Sequence, residues 1–382
     1  MNISEIMKSA PRYLAMRYGS LYTYVWQSLF PKEYINKVLY RIDNPKEKKE
    51  KFFRMKTIAE EASVLVFLFY TKKMLIEGAN ATKNTVDILK ELDIKEFRLG
   101  KTRFAGRNNN VILGDRLAER LLRLLDDDVK RLLSRTEYMS QIIDHYRRLR
   151  NEERTYNYLF DKKEAEVKLK RFFANEKPRL RTFGNVVNQV FEAYTFASTI
   201  KWYQSNEWLV HIINPKVKSK GIFRLKFSTM GAPNKYSYAI CEKGEKKCQI
   251  RHQLRVTTES YRDKNNYRAN ICCDISVINN LDLNLYSTAM AIPNKELISF
   301  GEVKHMSAFA ELLANFVGLV HELQPRRLRT IRTRRWARNE HISPFLNVSG
   351  FLQPTAKGLN ETIEKRKYDI DVYHYENKMV NI

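Results

Sequence analysis

Apolar positions in the first half of the chain recur every three or four residues, which is the spacing of an amphipathic helix. Val64–Tyr70 is wholly apolar or aromatic, and we predict that it lies in a buried helix that ends near Lys73. From Asp115 onward, leucines and valines again fall at helical spacing, and this pattern continues to about Phe173. Residues 1–175 are therefore predicted to form a helical domain.

The pattern changes after Pro178, and residues 176–382 are predicted to form a second domain. A helix is expected at Phe183–Tyr194, and it carries Glu192 among apolar neighbours. Runs of β-branched and aromatic residues between Gly, Pro and Asn then predict strands. The predicted strands are Trp208–Ile213, Phe223–Phe227, Tyr236–Cys241, Gln249–Thr257, Asn270–Ile278, Ile298–His305, Phe345–Leu352 and Tyr368–Tyr375, with helices at Met306–Leu323 and Thr355–Lys367. The chain is thus predicted to be α+β overall.

The charge balance points to a polyanionic partner. The chain contains 68 lysines and arginines against 43 acidic residues, a net charge of +25. Nucleic acid is the commonest soluble polyanion, so a nucleic-acid partner is expected. A generally lysine-rich proteome is the alternative explanation, since charge alone does not define a site. The helical domain is accordingly expected to be basic, and it could serve in DNA binding, partner binding or oligomerisation.

The cysteines and the apolar stretches bear on the cellular compartment. The four cysteines lack the CxxC spacing of a zinc site, so they are expected to be reduced thiols of an intracellular protein. Every apolar stretch is far shorter than the roughly 20 residues that cross a bilayer. We therefore expect a soluble, cytoplasmic protein with no membrane partner.

The candidate chemistry lies in two predicted strands. Asp274 stands inside an apolar, β-branched run, where a carboxylate is costly unless a cation or donor faces it. Glu302 and Lys304 are two residues apart, so on a strand their side chains leave from the same face. Two carboxylates brought together on paired strands repel, and a divalent metal such as Mg²⁺ or Mn²⁺ commonly relieves that repulsion. Lys304 beside them could orient a water or help to deprotonate it.

The sequence Asp274 … Glu302-Val303-Lys304 resembles the D…(D/E)xK signature of the PD-(D/E)xK nuclease superfamily, which has the restriction-endonuclease-like fold. The succession of a helix with Glu192, strands with Asp274, a strand with Glu302, a helix and a strand also resembles the core of that superfamily. The resemblance covers residues 180–382 and leaves the amino-terminal half unexplained. Cys273 precedes Asp274 where the family has proline, and the subfamily is not assigned.

The resemblance implies a fold and a set of roles. The second domain would have a central mixed sheet flanked by helices, with Glu192, Asp274, Glu302 and Lys304 as catalytic residues. Asp274, Glu302, Glu192 and the backbone carbonyl of Val303 would bind the metal, Mg²⁺ or Mn²⁺. Lys304 would position or activate the attacking water.

A cluster of arginines follows the helix after this site. Its members are Arg326, Arg327, Arg329, Arg332, Arg334, Arg335 and Arg338. Few acidic residues interrupt the cluster, so phosphate binding is favoured over a merely solvated basic loop.

The function expected from these features is a Mg²⁺-dependent deoxyribonuclease that cuts DNA internally. Analogy with nucleases that pair this fold with a helical accessory domain suggests a role in restriction or anti-phage defence. The alternatives are a catalytically inactive nuclease-fold protein that binds nucleic acid or acts as a scaffold, an RNA-directed nuclease, and a helical interaction protein whose motif is accidental. A second copy of the chain or an activator protein is a further expected partner.

Overall fold

The structure is a computed structural model of the chain. It describes residues 12–94, 97–98, 139–151, 162–215, 223–227, 232–258, 270–283, 291–329, 340–374 and 376–379, together with Lys8. The chain divides into two compact units, the first drawn from residues 1–80 and 116–184 and the second from residues 81–115 and 185–382. The helix predicted from Asp115 onward lies mostly outside the described residues.

Helices build the described part of the first unit. They are α1 (Arg12–Leu29), α2 (Lys32–Leu39), the first part of α3 (Pro45–Glu91), α4 (Met139–Asn151) and the first part of α5 (Lys162–Ser205). Side chains of α1, α3 and α4 form its core, among them Val25, Ile58 and Tyr146. Two helices are longer than predicted: α3 continues past Lys73, and α5 runs without interruption through Pro178. None of the helices in the described ranges is long and apolar enough to span a membrane.

The second unit contains a mixed sheet. Its strands are β2 (Leu209–Ile213), β4 (Tyr238–Lys243), β5 (Lys246–Thr257), β6 (Asn270–Asn279), β7 (Ala291–Pro293), β8 (Leu297–Lys304), β9 (Phe345–Val348) and β10 (Asp371–Tyr373). Their order is β10-β9-β8-β6-β5-β4-β2, and β7 pairs with the end of β5. Strands β8, β9 and β10 are parallel, whereas β8, β6, β5, β4 and β2 are antiparallel. Two further short strands, β1 (Phe97–Arg98) and β3 (Phe223–Arg224), pair with each other.

Helix α6 (Ala310–Leu323) connects the parallel strands β8 and β9, and α7 (Pro354–Lys365) connects β9 and β10. The buried face of α6 consists of Leu313, Phe316, Val320 and Leu323, which recur at the predicted helical spacing. They share one core with Phe300 of β8 and side chains of the neighbouring strands. The predicted α+β class, with a central mixed sheet and helices around it, is confirmed.

A glycine sets the contact between β8 and β9 beside the candidate site. Gly301 is the register partner of Phe345, whose ring is fully buried. A Cβ atom at position 301 would lie 2.2 Å from a ring carbon of Phe345, far inside van der Waals contact. The missing side chain therefore lets the aromatic ring pack directly on the backbone that precedes Glu302.

Candidate functional site

Strands β6 and β8 bring the predicted acidic residues together. The antiparallel pairing places Ile275 opposite Gly301, so Asp274 and Glu302 occupy the next positions along the two strands. Lys304 is two residues beyond Glu302, on the same face of β8. Residues 28 positions apart in sequence thus become neighbours through the sheet register.

The three side chains are in direct contact. The Nζ atom of Lys304 lies 3.1 Å from Oδ2 of Asp274 and 2.9 Å from Oε2 of Glu302. The backbone N–H of Val303 also donates a 2.9 Å hydrogen bond to Oδ2 of Asp274. The side chains of Asp274 and Glu302 are 16% and 12% exposed, against 38% for Lys304. Two largely buried carboxylates therefore share one partly exposed ammonium group.

Burial and neighbouring charges shift the pKa values of both Glu302 and Lys304. Burial, followed by repulsion from Asp274, raises the pKa of Glu302 to about 7 against the pull of Lys304 in the opposite direction. Burial alone would lower the pKa of Lys304, but the two carboxylates outweigh it and raise that pKa above its ordinary value. Lys304 is therefore a fixed cation at neutral pH, which suits it to orienting a water or an anionic oxygen better than to removing a proton.

The raised pKa of Glu302 predicts a pH-dependent stability in metal-free protein. The folded-state pKa of about 7 exceeds the ordinary value of 4.5, so folding favours the protonated carboxyl. Its contribution to stability is fully present below the ordinary pKa and is lost as pH rises through the folded-state pKa. We expect the unfolding free energy of Glu302→Gln, relative to wild type, to rise across this window by at most about 1.4 kcal/mol per pH unit.

Denaturant titrations in EDTA at several pH values between about 5 and 8 would measure this difference. Glu361→Gln, at an exposed position on α7, is the control and should show no such trend. A difference between wild type and Glu302→Gln that does not change with pH would contradict the prediction.

Glu192 on α5 borders the site and has two partners of its own. Its Oε2 atom lies 3.0 Å from Nε2 of His252 and accepts a 3.2 Å hydrogen bond from Nε2 of Gln253. The negative charge of Glu192 also contributes to raising the pKa of Glu302. The sequence pointed to Glu192 but not to His252 or Gln253. His252 and Gln253 stand in a run whose residue pattern predicts only a strand. No feature of the sequence therefore distinguishes them as functional residues.

The donor chemistry of this site fits a hard divalent cation. Among the described residues there is no group of three or more His, Cys, Asp and Glu side chains placed to hold a metal ion. However, Asp274 and Glu302 already point one oxygen each at a single cation, the Lys304 ammonium. Mg²⁺ commonly binds one or two carboxylates and completes its shell with water and substrate phosphate. Two convergent carboxylates are therefore an adequate protein ligand set.

The structure describes three of the seven predicted phosphate-binding arginines. Arg326, within the 3₁₀ turn Pro325–Leu328, and Arg329, directly after it, are exposed. Arg327 instead forms an ion pair with Asp369 and donates a 3.1 Å hydrogen bond to the carbonyl of Ile298. Arg332, Arg334, Arg335 and Arg338 lie outside the described residues. Within the described part of the cluster, Arg326 and Arg329 are the side chains presented to solvent.

Comparison with known proteins leaves the family open. No protein-family model matches the chain, and no curated protein matches it in sequence. The resemblance to the PD-(D/E)xK nucleases therefore rests only on the residues and element order of this chain.

Proposed function

We propose that this protein is a metal-dependent endonuclease of the PD-(D/E)xK type that hydrolyses phosphodiester bonds in DNA. The observation that carries the proposal is the convergence of Asp274, Glu302 and Lys304 on the neighbouring strands β6 and β8. The β8–α6–β9 connection, which places a parallel strand next to the Glu302 strand, supports the same assignment.

Phosphodiester hydrolysis needs a positioned nucleophile, neutralisation of charge on the phosphate and a stabilised leaving group. Asp274 and Glu302 would bind Mg²⁺ or Mn²⁺, and the resemblance to the PD-(D/E)xK nucleases implies Glu192 and the Val303 carbonyl as further ligands once the metal is bound. The ion would supply a Lewis acid and an activated water. Lys304, kept cationic by its two carboxylate neighbours, would donate hydrogen bonds to the attacking water or to a phosphate oxygen.

The choice of a nucleic-acid substrate is supported by charge. The net charge of +25 favours a polyanion, and exposed Arg326 and Arg329 lie just after α6, the helix that follows the Glu302 strand. Phosphate contacts fix the position of a nucleic acid without reading its sequence. We propose DNA as the substrate, and an RNA-directed nuclease is the alternative that the experiment below distinguishes.

The experiment compares cleavage of supercoiled plasmid, linear duplex, single-stranded DNA and RNA in Mg²⁺, Mn²⁺ or EDTA. Wild type is tested beside Asp274→Asn, which keeps the shape of the side chain but removes its charge. Metal-dependent cutting of DNA that is lost in Asp274→Asn supports the proposal, and cutting of RNA alone would change the substrate. Nucleic-acid binding without cleavage of any substrate would favour the inactive nuclease-fold protein.

A charge reversal of Arg326 and Arg329 should weaken nucleic-acid binding. If each contacts one phosphate, Arg326→Glu/Arg329→Glu should reduce the slope of log affinity against log salt by about two. Lys357→Glu/Lys365→Glu is the charge-matched control, since both lysines are exposed on α7. Equal salt slopes for the two double variants, measured by fluorescence anisotropy, would remove the two arginines from the binding surface.

A further inference from the structure

An irregular residue in β5 lies beside the candidate site. Gln253 has a φ of 48°, the left-handed region that a side chain other than glycine rarely adopts. The register of β5 with β6 pairs His252 with Ile275 and Leu254 with Cys273, and it skips Gln253 and Asp274 between them. The irregularity therefore falls opposite a proposed metal ligand.

This irregularity changes where two successive side chains point. In a regular strand, neighbouring residues project to opposite faces of the sheet. His252 and Gln253 instead both reach Oε2 of Glu192, at 3.0 Å and 3.2 Å. The left-handed conformation of Gln253 breaks the alternation and lets both side chains reach one carboxylate.

Lys226 forms hydrogen bonds with both His252 and Gln253. Its backbone carbonyl lies 2.7 Å from Nδ1 of His252, and its Nζ donates a 3.0 Å hydrogen bond to the carbonyl of Gln253. A carbonyl oxygen can only accept, so Nδ1 carries a hydrogen and Nε2 faces Glu192. Nε2 donates to the carboxylate when the ring is the imidazolium, with a hydrogen on both nitrogens. His252 and Lys226 are buried, so these contacts are shielded from water.

The left-handed conformation of Gln253 costs folding free energy at that residue, and it fixes the side-chain conformation of Glu192. A non-glycine residue in the left-handed region costs folding free energy, and such strain is concentrated at functional sites, where the surrounding structure maintains it. Here the surrounding contacts come from Lys226 and Glu192. A Glu side chain on a helix has several rotamers, and two contacts on one oxygen select among them.

We propose that His252 and Gln253 are positioning residues that fix the Glu192 carboxylate at the edge of the Asp274–Glu302–Lys304 site. This inference rests on the proposed function, because it gives Glu192 a part in holding the divalent cation. Partners of this kind orient a metal ligand without contacting the metal, and their loss commonly weakens metal binding ten- to a hundredfold.

Gln253→Gly separates this role from a merely structural one. Glycine adopts a φ of 48° without strain, so the melting temperature should stay equal or rise, while the contact to Glu192 disappears. We expect the Mn²⁺ affinity of the full chain, measured by calorimetry or by electron paramagnetic resonance, to fall about tenfold. Lys367→Gly is the matched control: Lys367 also has a positive φ, 54°, but is exposed after α7. It should leave Mn²⁺ affinity unchanged.

His252→Gln and Glu192→Gln complete the test. If His252 and Gln253 act through Glu192, each substitution should weaken Mn²⁺ binding in the wild-type background and have little further effect in Glu192→Gln. The positioning role would be overturned if the losses of Mn²⁺ affinity added up in the double variants. It would also be overturned if Glu192→Gln weakened Mn²⁺ binding while Gln253→Gly and His252→Gln left it unchanged. Those results would leave the nuclease proposal in place. That proposal fails separately, if wild type shows no metal-dependent cleavage or if Asp274→Asn cuts normally.

Discussion

Lys304→Ala is expected to slow metal-dependent cleavage about a hundred- to a thousandfold, the usual loss when one charged or polar donor is removed from a reacting oxygen. Lys304 contacts both carboxylates of the site, and they keep its side chain protonated and in place. Alanine removes the donor and leaves the carboxylate oxygens of Asp274 and Glu302 that are proposed to bind the metal. Single-turnover cleavage with saturating enzyme would measure the loss in the chemical step, while nucleic-acid affinity should remain close to that of wild type.

Two controls make this loss interpretable. Lys295→Ala removes an exposed lysine from the turn just before β8, and it should leave the rate unchanged. A circular dichroism melt in the presence of metal checks that Lys304→Ala is folded, because the variant leaves two acidic side chains without their shared cation. Equal cleavage by wild type and Lys304→Ala would remove Lys304 from the catalytic assignment.

Arg327→Ala is expected to lower the free energy of unfolding by about 3–5 kcal/mol, the usual cost of removing one partner from a buried ion pair. The Asp369 side chain is 5% exposed and is held by Arg327 and by a 2.7 Å hydrogen bond from Ser343. Without the guanidinium, a buried carboxylate would lose its counter-charge. Urea denaturation of wild type and variant would measure the difference.

Arg326→Ala is the matched control, because Arg326 is the adjacent residue and is exposed. It should change the unfolding free energy by less than about 0.5 kcal/mol, as is usual for a surface substitution, and weaken nucleic-acid binding instead. If Arg327→Ala kept the stability of wild type but lost nucleic-acid binding, Arg327 would be assigned to phosphate binding instead of to the fold. The pair of variants thus separates the arginine that supports the fold from the one proposed to contact phosphate.

Several elements were predicted well because their pattern is local. The spacing of Leu313, Phe316 and Val320 predicted the buried face of α6, and the apolar run around Asp274 predicted β6. Other elements were predicted poorly because no local pattern reports them. Strand β7 is three residues long and ends in Pro293, and its pairing with β5 comes from distant sequence. Helix α5 continues through Pro178, although proline usually indicates a boundary.

By itself, the sequence determined the α+β class, the basic charge and the placement of Glu302 and Lys304 on one face of a strand. These follow from the repeat of the backbone and from composition, which need no knowledge of distant contacts. Only the tertiary structure decided that Asp274 meets Glu302, that Arg327 is bound to Asp369, and that His252 and Gln253 both reach Glu192. The first depends on the register between β6 and β8, the second on the contact between the turn after α6 and the segment after α7, and the third on one unusual backbone angle. None of these leaves a periodic trace in the chain.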